Sequence, residues 1–245
     1  MFGAGGGTSS YREVVQTDLV ILWGSNARET HPIFFHHLLR GVHNGAKLIA
    51  VDPRRTGSAE WADVWLGLDV GSDISLANAM ARVIIHEGLA DTEFISRATA
   101  GFDDFARCVE AYTLERAERD TGVPAQAIHD VALAYGRAKT GMICWTLGIT
   151  EHHNATDNVL ALINLALLTG KVGRFACGLN PRRGQNNVQG GGDMGAIPAR
   201  FPGFQDLEEP ATHTIFTTAW GGAKFPSKKG YHLSEMFESM DHDEL

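Results

Sequence analysis

Residues 17–55 read TDLVILWGSNARETHPIFFHHLLRGVHNGAKLIAVDPRR, and this stretch decides the fold. LVILW is a short apolar run closed by turn residues, the pattern of a strand buried on both faces of a parallel sheet. In THPIFFHHLLRGVHNG, Ile33, Phe34, His37, Leu38 and Val42 recur at helical spacing, with Thr30 as N-cap and Asn44-Gly45 as stop signal. KLIAV is a second buried strand, and Pro53 closes it. Strand, helix and strand in this order predict a right-handed crossover between parallel strands.

The same grammar extends outward. ADVWLGLDVGSD gives a third short strand and a tight turn, and DISLANAMARVIIHEG a helix ended by Gly88. Residues 91–138 read as mainly helical, with Thr121 as an N-cap and Pro124 in the first turn of the last helix. GMICWTLGIT is another buried strand. TDNVLALINLALLTG is an apolar helix capped by Thr156 or Asp157 and ended by Gly170. From Gly178 onward the pattern is irregular until LSEMFESM. Strands alternating with helices in two blocks, 15–90 and 138–175, predict an α/β fold with a doubly wound, mostly parallel sheet flanked by helices.

Composition narrows the function. A net charge of −8 offers no basic surplus for nucleic-acid phosphates. Cys108, Cys144 and Cys177 are odd in number and far apart, so they form neither a disulfide framework nor a metal set; they read as reduced thiols of a cytoplasmic protein. The apolar run at 159–168 is interrupted by Asn164 and too short to span a bilayer. The opening MFGAGGGTSSY lacks the features of a signal peptide and reads as a loop from mid-protein.

Ligands of such folds sit beyond the carboxyl ends of the strands, where four loops gather. WGSNARET leads into a helix start that can receive an anionic group, although it is not the glycine fingerprint of a nicotinamide site. In VDPRRTGS, Asp52 can accept from a ribose hydroxyl and Arg54 can meet a phosphate; a plain Asp-Pro turn reads equally well. In DVGSD, Asp73 either caps the next helix or takes two N–H donors of a guanine. TLGITEHHNATDN carries Glu151, His152 and His153, but adjacent histidines rarely converge on one metal, and none is assigned.

One stretch fits no core. NPRRGQNNVQGGGDMGA, at 180–196, combines two arginines, several side-chain amides and three successive glycines. Gly190, Gly191 and Gly192 allow close backbone approach, and Gln185, Asn186, Asn187 and Gln189 suit a heterocycle with many hydrogen-bonding edges. Arg182 and Arg183 can grip a small carboxylate.

Together WGSNARETHP, VDPRRT, VGSD, LGITEHHN, RGQNNVQGGGDMGA and PGFQD resemble the large subunit of molybdenum- or tungsten-dependent formate dehydrogenases, within the dimethyl sulfoxide reductase superfamily. The resemblance spans essentially the whole chain, and RGQNNVQG with DMGA is its most specific part. It implies two molybdopterin guanine dinucleotides clasping one metal, with residues 1–140 forming the first dinucleotide-binding domain and 141–245 part of the second. Gly24, Asn26, Glu29 and Thr30 would lie along one dinucleotide, Asp52 and Arg54 at its ribose and phosphates, and Gly71 and Asp73 at its guanine. Gly148 and Glu151 would approach pterin, Arg183 would be the active-site arginine orienting formate, and Gln185 would lie against cofactor.

The family's 4Fe–4S domain, its metal-ligating cysteine or selenocysteine and its C-terminal domain have no counterpart in these 245 residues. The resemblance therefore implies an internal piece of a subunit, inactive alone, whose partners are the rest of that subunit and iron–sulfur or flavin electron-transfer subunits. Alternatives are a related nitrate or sulfur-oxide reductase and a non-catalytic scaffold of the same fold.

Overall fold

Five strands lie in one sheet, all parallel, in the order β3-β2-β1-β4-β5. They are β1 (Leu19–Trp23), β2 (Lys47–Val51), β3 (Val64–Leu66), β4 (Gly141–Trp145) and β5 (Gly178–Pro181). The computed structural model describes residues 6–242; residues 1–5 of the opening glycine-rich stretch lie outside them. Every residue of β1 and β4 is buried, because helices cover both faces and no position along the strand meets water. This is the doubly wound α/β sheet that the alternating pattern predicts.

The side chains divide by strand parity. Ile21, Trp23, Ile49, Val51, Ile143 and Trp145 face the larger core, where they meet residues such as Met80, Tyr135 and Leu165. Val20, Leu22, Leu48, Met142 and Cys144 face the smaller one, against Phe34, Phe35 and Leu38.

The first helices are α1 (Tyr11–Val14), α2 (Ala27–Thr30) and α3 (Pro32–His43). Next come α4 (Asp73–His86), α5 (Thr92–Ala98), α6 (Phe102–Val109), α7 (Leu114–Thr121) and α8 (Ala125–Arg137), followed by α9 (Leu147–Thr150) and α10 (Ala155–Leu168). The larger core belongs to α4, α8 and α10, the smaller to α3.

Three helix starts differ from the pattern reading. Thr30 ends the single turn of α2, and His31 precedes α3 because Pro32, lacking an N–H, fits its first position. Thr121 ends α7 instead of capping α8: its hydroxyl donates to the Ala117 carbonyl, and Pro124 directly precedes α8. α10 begins at Ala155 after Asn154, ahead of both Thr156 and Asp157.

One compact unit ends at Gly184 and a second begins at Gln185. The family resemblance implies a domain boundary at 140/141, which differs from this division into compact units. The difference arises because β4 pairs with β1 along its whole length and β5 with β4, which joins 141–184 to the first unit. The second unit is also less irregular than its sequence suggests. It contains α11 (Val188–Asp193), α12 (Pro210–Ala219), α13 (Leu233–Asp241) and a small antiparallel pair, β6 (Arg200–Phe201) with β7 (Gln205–Asp206). Gly190, Gly191 and Gly192 lie inside α11, so the glycine run is a helical turn and not an extended loop. At Gly190 the reason is local: a Cβ would stand 2.2 Å from the Asn187 Oδ1.

Candidate functional site

The strand order reverses between β1 and β4, and there the loops after these two strands diverge to opposite sides and leave a crevice. Two glycines set how closely its walls meet. Gly24, at φ +55°, follows β1, and a Cβ there would lie 2.8 Å from the Gly148 carbonyl carbon. A Cβ on Gly148 would lie 2.7 Å from the Gly24 Cα. The Thr146 hydroxyl donates to the Gly24 carbonyl at 2.6 Å, and the Gly24 N–H donates to Val51 at 2.8 Å, so the loops after β1, β2 and β4 are stitched together.

A cleft of about 380 Å³ opens over this junction. Eight of the residues singled out by motif line it together: Gly24, Asn26, Thr30, Asp52, Arg54, Gly71, Asp73 and Gly148. Glu29, Glu151, Arg183 and Gln185 are exposed and outside its lining. Arg183 directly precedes the lining residue Gly184, whereas Gln185 opens the second compact unit.

The electrostatics centre on two carboxylates. Asp52 directly follows β2, and its Oδ1 accepts from the Arg54 backbone N–H at 2.9 Å. Burial pushes its pKa up, against the pull of that N–H and of the Arg54 charge. Asp73 is 6% exposed and opens α4. Its Oδ1 accepts from the Trp23 indole N–H at 2.8 Å, which turns the side chain toward the end of β1. Burial raises its pKa as well, and the indole N–H counteracts this. Ser72 is the residue that precedes α4, so Asp73 does not cap the helix from the N-cap position.

Further residues line the cleft without having been assigned from sequence: His31, Thr146, Leu147 and Gly184. His152, considered only as a metal ligand, lines it too, its Nε2 2.9 Å from the Gly148 carbonyl. A signal for His31 was available. The residue before a proline avoids helical backbone, and at φ −136° His31 kinks the chain between α2 and α3. Its Nε2 lies 2.7 Å from the Arg183 carbonyl oxygen. Among the described residues no three His, Cys, Asp or Glu side chains gather as metal ligands.

The molybdopterin oxidoreductase family model matches residues 4–245. The chain belongs to the molybdopterin oxidoreductase family. Formate dehydrogenase H of Escherichia coli is 42% identical over 243 residues, 99% of this chain and 34% of that protein. The F420-dependent formate dehydrogenase 2 subunit alpha of Methanococcus maripaludis is 45% identical over 208 residues, 85% of this chain and 31% of that protein. The chain thus spans about a third of the length of these curated relatives. Among solved structures, acetylene hydratase from Pelobacter acetylenicus superimposes with a TM-score of 0.63 at 30% identity, covering 68% of this chain and 23% of that one.

A molybdopterin cofactor carrying molybdenum or tungsten follows from membership of the molybdopterin oxidoreductase family, and the cleft suits such a ligand. Its two half-buried or buried carboxylates are acceptors for hydroxyl and N–H groups. At Gly71, φ +88°, no atom lies within 4 Å of where a Cβ would stand, which leaves that wall open to a ligand. No helix among the described residues is long and apolar enough to cross a membrane.

Proposed function

We propose that this chain is part of a formate dehydrogenase catalytic subunit in which Gly24, Asn26, Thr30, Asp52, Arg54, Gly71, Asp73 and Gly148 hold one guanine dinucleotide of a bis-molybdopterin centre. The observation that carries the reading is their convergence on one cleft at the strand-order reversal, next to the segment bearing Arg183. Asp52 accepts from a ribose and Asp73 from guanine N–H groups. Arg54 meets a phosphate, and Glu29, Glu151 and Gln185 make outer contacts with the cofactor. The 39–45% identity to formate dehydrogenase alpha subunits and to formate dehydrogenase H supports formate as substrate.

Formate oxidation releases carbon dioxide, one proton and two electrons. The metal–pterin group supplies the electron acceptor. Arg183 binds both oxygens of formate through its planar fork of donors and fixes the direction of the C–H bond. On this reading a 4Fe–4S cluster and the cysteine or selenocysteine metal ligand belong to the same subunit outside these residues. Iron–sulfur or flavin subunits take the electrons onward in the cytoplasm, and the 245 residues alone do not turn over formate.

The family fold itself carries more than one reaction, as acetylene hydratase illustrates, so the substrate rests on Arg183. The test is Arg183→Lys in the full-length protein. The expected result is a drop in kcat/KM for formate of about 100-fold or more, with pterin content retained. Undiminished formate oxidation in this variant would exclude the proposed role.

A further inference from the structure

We infer that His31 is a positioning residue that ties the backbone of Arg183 to the loop after β1; its kinetic consequence rests on the formate reading above, its structural consequence does not. Three short contacts run in series. The His31 Nε2 lies 2.7 Å from the Arg183 carbonyl oxygen. Its Nδ1 lies 2.8 Å from the Thr30 Oγ1, and that hydroxyl lies 3.1 Å from the Asn26 carbonyl oxygen, to which it can donate.

A carbonyl oxygen only accepts, so Nε2 carries the proton of the first bond. Nδ1 faces a hydroxyl that can either donate to it or accept from it. The bond to Arg183 is therefore open to the neutral and the charged ring alike. The Asn26 carbonyl also takes the backbone N–H groups of Glu29 and Thr30, so it stays satisfied if the hydroxyl turns toward His31.

The backbone that carries the ring is anchored by the helix that follows it. Pro32 fixes the first turn of α3, and that helix anchors in the smaller core through buried Phe34, Phe35 and Leu38. Arg183 is an exposed residue leaving the sheet after β5, and the Arg182 N–H donates to the Trp145 carbonyl at 2.7 Å. The peptide after Arg182 is thus gripped at Arg182 by β4 and at Arg183 by His31. A loop arginine that must present two donors to a small carboxylate gains from such a fixed backbone, since the side chain then has less freedom to lose.

The test compares His31→Leu, which has no donor, with His31→Gln, which keeps one at similar reach, both in the full-length, cofactor-loaded protein. In His31→Leu, amide exchange in the segment 182–184 speeds up and KM for formate rises about five- to tenfold, with kcat and pterin content little changed. His31→Gln returns both readouts toward the original values. Wild-type exchange in His31→Leu overturns the tether, as does a loss of pterin that fully accounts for lost activity. Should His31→Leu not fold, His31→Met takes its place against His31→Gln. Arg183→Lys is measured in parallel. Unchanged formate kinetics there sinks the formate reading, while the exchange result, which needs no formate, still decides the tether.

Discussion

The two compact units reach stability by different routes. The unit ending at Gly184 buries continuous apolar strands between helices, and most of its large side chains vanish from solvent. The unit starting at Gln185 has a small cluster, Phe201, Leu207 and Phe216 with Phe225 against it, organised by ring geometry. Phe201 stacks on Phe216 at 4.6 Å and meets Phe225 edge-on at 5.1 Å. In the same unit Leu233, Phe237 and Met240 remain well exposed. The first unit draws on buried area, the second on a few aromatic pairs, each adding about 1 kcal/mol beyond its area.

The sharpest way to break this contrast is a pair of truncations. Ile143→Ala, in the centre of β4, is expected to lower the stability of residues 6–184 by about 4 kcal/mol. Phe201→Ala removes the ring that touches Phe216, Phe225, Trp220 and His213, and is expected to have a similar effect confined to 185–242. Hydrogen exchange read by segment checks both. If Phe201→Ala loosened the parallel sheet, the two units would be one cooperative body.

Next in size is a pH effect in the first unit alone. Lys171 is 1% exposed, its Nζ 4.8 Å from the Tyr135 ring centre and 3.5 Å from the Gly136 carbonyl. Burial brings its pKa down to about 8 from 10.5. Below pH 8 both folded and unfolded chains hold the proton, and the full penalty of burying the charge is present. Between pH 8 and 10.5 the folded chain releases the proton first, so stability rises with pH, by at most about 3 kcal/mol. Lys171→Met should flatten this slope and raise stability below pH 8, measured as denaturation midpoints across the range. An unchanged slope would assign it to another group.

Smaller still are two glycine exchanges with opposite signs. Gly148→Ala forces a Cβ against the Gly24 backbone and is expected to cost about 2 kcal/mol, seen as a lowered Tm. Gly191→Ala places a Cβ where no atom lies within 4 Å, inside α11, and is expected to add about 0.5 kcal/mol of local stability. A destabilised α11 in that variant would show that the glycine run serves something other than backbone freedom.

The same contrast explains how much could be read from sequence. LVILW, KLIAV and GMICW announce buried strands because both faces of the sheet are covered, so the hydrophobic run is unbroken. VQGGGD and the short pair at Arg200–Phe201 and Gln205–Asp206 carry no such period, and their structure depends on tertiary contacts such as the Phe201 stack. At the cleft, Asp52, Arg54, Gly71 and Asp73 were legible because each sits just past a strand or at a turn. For His31 the sequence shows only the break before Pro32, because its importance lies in a contact 152 residues along the chain. Nor could spacing reveal that Trp23 donates to Asp73, a partnership made only when the end of β1 meets the start of α4.

The place of β4 in the sheet also sets a timetable. β1, β2 and β3 are complete by Leu66, but Trp23 finds its partner Trp145 only 122 residues after it in the chain. At ribosomal speeds of roughly 5–20 residues per second, the gap between β2 and β4 corresponds to about 5–20 s of synthesis. During that interval β1 presents a bare edge of backbone donors and acceptors, and the wall that Gly148 contributes does not yet exist. Half of the crevice therefore waits on translation, and a ligand that needs both walls can be received only after the second has been made.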